Sequence, residues 1–296
     1  MYLSASERRG FMRKIEFSKM HGIGNDYIYI NCMDKMPDDI PQLAVEMSRR
    51  HFSVGADGIV CICKPSAGVN ADAKMRMFNA DGSEGKMCGN AIRCVGKYLY
   101  DRGIAKKEEL SIETLSGIKH LRLTVENGEC TAARVDMGKA ILSPADIPVK
   151  FDGARMINES VRIAGGEYKL TAVSMGNPHA VIFTDEVKSL NLEKIGPLFE
   201  NDPIFPERVN TEFVRVIDRE NLEMRVWERG SGETYACGTG ACASAAAAVL
   251  NGCSDFDSPI KVHLIGGELT VSVGSDLRVT MTGPAELVYD GVYYAK

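Results

Sequence analysis

Two stretches of the chain, about half its length apart, repeat each other. Met75 to Gly89 and Met224 to Gly238 align without gaps at an offset of 149 residues; Met, Arg, Glu, Cys and Gly coincide, and Phe78 is matched by Trp227. Gly24-Asn25-Asp26 and Gly176-Asn177-Pro178 match at an offset of 152, and the apolar runs ending in Val60 and Val214 stay in step. Ordered self-similarity of this kind marks a duplicated supersecondary unit. Two such units facing each other leave a cleft between them and place equivalent residues across a pseudo-twofold axis. A length of 296 residues gives the weaker prior of two domains.

The local patterns are mostly those of strands. Ile15–Met20, Tyr27–Cys32, Gly58–Cys63 and Ala73–Asn79 are rich in β-branched, aromatic and alternating residues, as are Leu110–Thr114, Ile118–Val125 and Thr131–Asp136. Equivalent runs follow at Tyr168–Met175, Ala180–Phe183, Thr211–Ile217 and Leu222–Glu228, and four more lie between Lys261 and Tyr293. Helices are expected from Pro41 to Phe52, from Cys88 to Asp101 with Gly103 as the stop, and from Gly238 to Leu250. Many strands with few helices read as α+β. The expected division is an extension over 1–13, an N-terminal α/β domain over 14–133 and a C-terminal α/β domain over 134–283. The last strand, 284–296, is expected to return to the first domain.

Apolar content of 45%, charged content of 25% and a net charge of −5 are ordinary for a globular chain. They suggest neither a nucleic-acid nor a membrane partner. The least polar run, Ala241 to Leu250, is far short of the ~20 residues that cross a bilayer, and Arg8, Arg9 and Arg13 precede no signal-peptide core. The nine cysteines are odd in number and lie in a large chain, so free thiols in a cytoplasmic protein are expected. Paired C-x-x-C spacings are lacking, which disfavours zinc. Cys61 and Cys63 share one face of a strand and read as core, as do Cys94 and Cys242 within their helices.

Cys88 and Cys237 are different. Each follows a polar, glycine-containing turn and opens a helix as Cys88-Gly89-Asn90 or Cys237-Gly238-Thr239. Unpaired N–H groups and the positive end of the helix dipole gather there, a field that stabilises a thiolate and binds a carboxylate. A thiolate and a thiol on opposite sides of a cleft can invert a carbon: one removes its proton and the other delivers a proton to the opposite face.

Seven motifs, in one order from Ile15 to the C-terminus, resemble the diaminopimelate epimerase family, whose members use no pyridoxal cofactor. They are His21-Gly-Ile-Gly-Asn-Asp26, Phe78-Asn-Ala-Asp-Gly-Ser-Glu84, Met87-Cys-Gly-Asn90 with Arg93-Cys94, Gly176-Asn-Pro-His179, Asn210-Thr-Glu-Phe213, Glu228-Arg-Gly230 and Ala236-Cys-Gly-Thr-Gly240. The resemblance implies interconversion of LL- and meso-2,6-diaminoheptanedioate in lysine and peptidoglycan biosynthesis. It implies two pseudosymmetric α/β domains, each a mixed sheet wrapped around a central helix, and a homodimer. Carried over residue by residue, Cys88 and Cys237 match the two acid/base cysteines, with His179 and Glu228 as supporting catalytic groups. Gly89, Asn90, Gly238 and Thr239 match the carboxylate cradle. Asn25, Asn79, Asn177, Asn210 and Arg229 match substrate contacts; no metal or cofactor is implied. Two positions depart from the pattern. Gly58 stands after Gly55-Ala-Asp57 where some members have Gln, and Ala91 stands where many have Gly.

Arg229 can clamp a carboxylate with two prongs, and asparagine amides can serve an ammonium and a carboxylate together. The nearest rival is a racemase of another amino acid, such as histidine or hydroxyproline, with the same two cysteines. A non-catalytic binding protein would not need both cysteines, and a dithiol redox enzyme would be expected to carry a local C-x-x-C.

Overall fold

The computed structural model describes residues 13–295. The first unit runs β1 (Arg13–Gly22), β2 (Asn25–Cys32), α1 (Ile40–Met47), β3 (Gly58–Cys63), β4 (Ala73–Asn79), β5 (Glu84–Gly85), α2 (Gly89–Asp101), β6 (Glu109–Thr114), β7 (Gly117–Glu126) and β8 (Glu129–Lys139). The second runs β9 (Glu159–Ile163), β10 (Gly166–Ser174), β11 (Pro178–Phe183), α3 (Leu192–Glu200), β12 (Asn210–Asp218), β13 (Asn221–Glu228), β14 (Gly232–Glu233), α4 (Gly238–Leu250), β15 (Pro259–Leu264), β16 (Gly267–Val273) and β17 (Arg278–Pro284). β18 (Glu286–Ala295) closes the chain.

The repeat in sequence is a repeat in strand order. Side by side, the first unit reads β1-β2-β3-β4-β6-β7-β8 and the second β10-β11-β12-β13-β15-β16-β17. In each, the second pair and the fourth pair are parallel and the others antiparallel. The units join where β8 pairs antiparallel with β17. β18 crosses back to the outer edge of β1, and β9 occupies the equivalent edge beside β10. The fold class expected from the strand-rich pattern, a mixed sheet with few helices in two related halves, is the one observed.

The coincident Arg and Glu of the repeat explain themselves here. Arg76 holds Glu84 with two hydrogen bonds of 2.7 and 2.9 Å, and Arg225 holds Glu233 with two of 2.7 and 3.0 Å. Each charge-assisted fork closes the hairpin that feeds the helix carrying the cysteine.

Each sheet wraps around one helix. α4 packs on β10 to β13 and on β15 to β17, so Ala243 and Ala245 to Ala248 are fully buried all round the helix. Alanine combines the best helix propensity with a side chain small enough for sheet on every side. α2 buries Ala91, Ile92, Cys94, Val95 and Leu99 in the same way, and one apolar core runs through both units.

Three details differ from the expectations. Arg13 is already in β1 rather than in an extension; the rest of that expectation, residues 1–12, lies outside the described residues. α1 starts on Asp39, whose side chain accepts from Gln42 N, but stops at Met47 instead of Phe52. His51 and Gly55 take φ of 71° and 76°, and Gly55 N folds back onto Met47 O at 2.9 Å. α3 was not expected at all, because Gly196 and Pro197 lie inside it. Packing overrides the weak propensity: a Cβ at position 196 would sit 2.2 Å from the Trp227 ring, so only glycine lets α3 lie on β13.

Candidate active site

Both candidate cysteines are helix N-caps. Cys88, with φ −135° and ψ 123°, accepts from Ala91 N at 3.5 Å; Cys237, with φ −119° and ψ 106°, accepts from Gly240 N at 3.3 Å. This position usually holds Ser, Thr, Asp or Asn. A cysteine in that place hangs its sulfur directly over the free N–H groups of the first turn.

The two helix starts meet. Asn90 Nδ2 donates to Ala236 O at 3.2 Å, across the units. A Cβ on Gly89 would lie 2.9 Å from Met281 Cε, and one on Gly238 would lie 3.2 Å from Met281 Sδ. The two cradle glycines therefore abut the same methionine, which keeps both helix N-termini at one place between the units. Arg93, fully buried one turn into α2, donates to Gly89 O, Asn90 Oδ1 and Pro284 O at 3.1 Å each. It ties the start of α2 to the chain entering β18.

The polar residues collect around this junction. On the Cys88 side, the thiol reaches Asn25 Oδ1 at 3.4 Å, and Asn25 Nδ2 donates to Asp57 at 2.8 Å. Asp57 also accepts from Asp26 N at 3.1 Å and from Arg50 at 3.1 Å, so the turn that lacks the family's Gln holds Asn25 through its own carboxylate. On the Cys237 side, Thr239 Oγ1 lies 3.5 Å from the sulfur and accepts from Asn177 Nδ2 at 3.3 Å. Asn177 Oδ1 lies 3.0 Å from His179 Nε2. Glu228 accepts from Thr234 Oγ1.

The remaining expected contacts sit at strand ends: Asn79 closes β4, Asn210 opens β12 and Arg229 follows β13. Asn79 is half-buried and donates to Ser83 Oγ at 3.0 Å, shaping the turn before Cys88. Asn210 is buried; it donates to Pro178 O and accepts from Arg229 N, both at 2.9 Å, so it binds β11 and β13 together. Arg229 Nη1 donates to Glu207 O at 2.8 Å, which leaves its other donors for a ligand.

The electrostatics correct one expectation. The helix N-termini do oppose proton retention, through Ala91 and Asn90 N–H at Cys88 and Gly240 N–H at Cys237. Burial is stronger, and the net effect raises both thiols rather than lowering them. Cys237 is pushed up further, because the Glu228 and Glu212 carboxylates add to its burial. Cys88 is raised by Glu228 only as a minor influence and is eased by the Arg93 charge. Glu228 is itself raised, by burial first, while hydrogen bonds from Thr234 and Cys237 and the nearby His179 pull it down. Its charge raises both thiols, Cys237 more than Cys88.

Three residues of the site carry no obvious signal in the sequence. Tyr27, buried against Gly58, has a phenol raised well above its usual value by burial and by Cys88. Asp57 lies in a glycine-flanked turn. Glu212 lies within the Asn210–Phe213 motif, but nothing in that motif marks the acid itself as part of the site; it is fully buried.

A doubled sheet that delivers one N-cap cysteine per half to a shared junction defines a proline-racemase-like class of fold. A probable proline racemase from Agrobacterium radiobacter superposes with a TM-score of 0.70 at 16% identity, over 94% of this chain and 92% of that one. A hydroxyproline epimerase from Agrobacterium vitis gives 0.67 at 15% identity, over 95% and 93%. The sequence is more specific than the fold: residues 17–143 and 171–288 match the model of the family described as diaminopimelate epimerase. A diaminopimelate epimerase of Acetivibrio thermocellus is 54% identical over 94% of this chain and 98% of its own length, and one of Methanococcus maripaludis is 48% identical over 94% and 99%. The chain belongs to the diaminopimelate epimerase family.

Proposed function

We propose that this protein interconverts LL- and meso-2,6-diaminoheptanedioate, a step that serves lysine and peptidoglycan synthesis, using Cys88 and Cys237 as paired acid and base. The observation that supports this most is the meeting of the two helix starts, where Asn90 Nδ2 donates to Ala236 O at 3.2 Å and Gly89 and Gly238 both face Met281.

The substrate α-carboxylate sits against the free N–H groups of Gly89-Asn90 and Gly238-Thr239. Charge developing there as the α-proton leaves is met by donors already in place, each worth about 2.7–4 kcal/mol in a dry site. One cysteine acts as thiolate and takes the α-proton. The other, as thiol, gives its proton to the opposite face, and the reverse reaction exchanges the two roles. Glu228, whose raised carboxyl acts on both sulfurs, is the group that accepts a thiol proton when the thiolate forms and returns it afterwards. His179 supports Cys237 through Asn177 and Thr239. Asn25, Asn79, Asn177, Asn210 and Arg229 supply the donors and acceptors for the ammonium groups and the distal carboxylate.

The protein works as a cytoplasmic homodimer. Nine free thiols fit a reducing compartment. The edge strand β18 exposes Leu287, Val288, Tyr289, Val292 and Tyr294, and unpaired apolar edges of that kind are normally covered.

Cys88→Ser and Cys237→Ser, made separately, test the mechanism. Each is expected to fold and to lose at least about a hundredfold in kcat. Full activity in either variant contradicts the two-base scheme. A panel of amino acids assayed for α-proton exchange tests the substrate, and faster exchange of histidine or hydroxyproline than of diaminopimelate overturns that assignment.

A further inference from the structure

Behind Cys237, the chain of contacts through which His179 supports it continues to a residue that the reaction above does not use. Glu212 Oε1 is 2.7 Å from His179 Nδ1, His179 Nε2 is 3.0 Å from Asn177 Oδ1, Asn177 Nδ2 is 3.3 Å from Thr239 Oγ1, and Thr239 Oγ1 is 3.5 Å from Cys237 Sγ. The chain begins at a carboxyl with no exposed surface, next to a histidine with none. The second oxygen, Oε2, has no hydrogen-bond partner. A Cβ on Gly240 would lie 2.7 Å from Oε1 and 3.2 Å from the Cys237 sulfur, so glycine at this helix position makes room for the acid.

Burying an acid with one oxygen unpartnered is costly, and sheet packing alone gives no reason for it. The first unit shows the alternative. At the repeat offset of 152 residues, Tyr27 stands where His179 stands and Val60 where Glu212 stands. Their strands keep the same register: Tyr29 pairs with Val60 as Val181 pairs with Glu212. An apolar residue therefore satisfies the fold at this place, and the acid is peculiar to the Cys237 half.

Resting on the two-base reading above, we propose that Glu212 is a positioning residue for Cys237: it accepts the Nδ1–H of His179, whose Nε2–H donates to Asn177 Oδ1, and Asn177 Nδ2 in turn donates to the Thr239 hydroxyl at the sulfur. Both ring nitrogens of His179 face acceptors, Glu212 Oε1 and Asn177 Oδ1, so both act as donors, and the Glu212 carboxylate is the counter-charge that holds the ring in that form. Thr239 is then kept in place to donate to the sulfur as Cys237 becomes a thiolate and to accept from it as Cys237 regains its proton. The Cys88 half does without such a chain because its sulfur is met directly by Asn25.

The test uses Glu212→Gln and Glu212→Asp in the full-length protein, with ¹⁵N spectra of the imidazoles alongside kinetics on diaminopimelate. Glu212→Gln is expected to lower kcat at least about tenfold while KM stays within about twofold. The hydrogen-bonded Nδ1 signal of His179 should shift with it. Glu212→Asp, which keeps the acceptor but shortens its reach, is expected to retain that signal and to recover part of kcat. It also carries the test if the Gln variant does not fold. A wild-type kcat in the Gln variant overturns the proposal, and so does a fall in kcat with the His179 signal unchanged. In the Asp variant, a wild-type kcat with the signal lost does the same. Cys237→Ser, measured in parallel, separates the failures: an active serine variant sinks the two-base reading itself, whereas an inactive one with a fully active Glu212→Gln sinks only the role of Glu212.

Discussion

At Cys88 and Cys237 two effects of known sign compete. The helix start favours the thiolate, and removal from water favours the thiol; in this closed junction the second is larger. The same contest recurs where no helix start helps: burial, the largest effect in each case, pushes Cys94 up to about 11, Cys130 to about 11 and Cys242 to about 12. A free thiol in the unfolded chain titrates near ~8.5. Below that value both states keep these protons and stability does not depend on them. Above it the unfolded chain sheds protons that the folded chain retains, so stability falls as pH rises toward the folded values. Urea midpoints measured between pH 8 and 10 should therefore decline, and Cys242→Ala should make the decline shallower. A flat profile would mean that these thiols are as free to ionise in the fold as outside it. The two cysteines were legible in the sequence because glycine and a helix pattern follow each. Glu212 was not: it shares its strand face with Val214 and Val216, and a single acid on an apolar face gives no local sign of the histidine on the neighbouring strand that it meets.

At the level of elements, β3, β4 and α4 take the ranges read from the sequence, since each is bounded by turn residues and has one unambiguous periodicity. α3 was hidden by Gly196 and Pro197, whose low propensity is offset by a tertiary contact with Trp227 that no local window contains. The end of α1 was overrun for a related reason: His51 adopts a left-handed backbone, which its residue type does not announce. The partner of β18 could be expected but not read, because edge pairing depends on which strand is left open. α4 offers the sharpest test of how the sheet grips its helix. Ala246 has no exposed surface, and Ala246→Leu must push the enclosing strands outward. A loss of about 1–3 kcal/mol in chemical denaturation is expected. A neutral result would show slack between α4 and its sheet.

Over the whole molecule, duplication has produced a symmetric frame with unlike contents. Both units present a sulfur on the first turn of a wrapped helix, and both are joined through β8 and β17 and through the Asn90–Ala236 contact. The groups behind the sulfurs differ: Tyr27, Asn25 and Asp57 on one side, His179, Asn177 and Glu212 on the other. The most direct measurement follows the α-hydrogen. LL-diaminopimelate is incubated with the protein in D₂O and both isomers are analysed at low conversion. Two bases on opposite faces predict deuterium at the inverted carbon of the meso product, while recovered LL substrate keeps its hydrogen. Deuterium entering the recovered substrate as fast as the product, or a product that keeps the original hydrogen, would contradict the account.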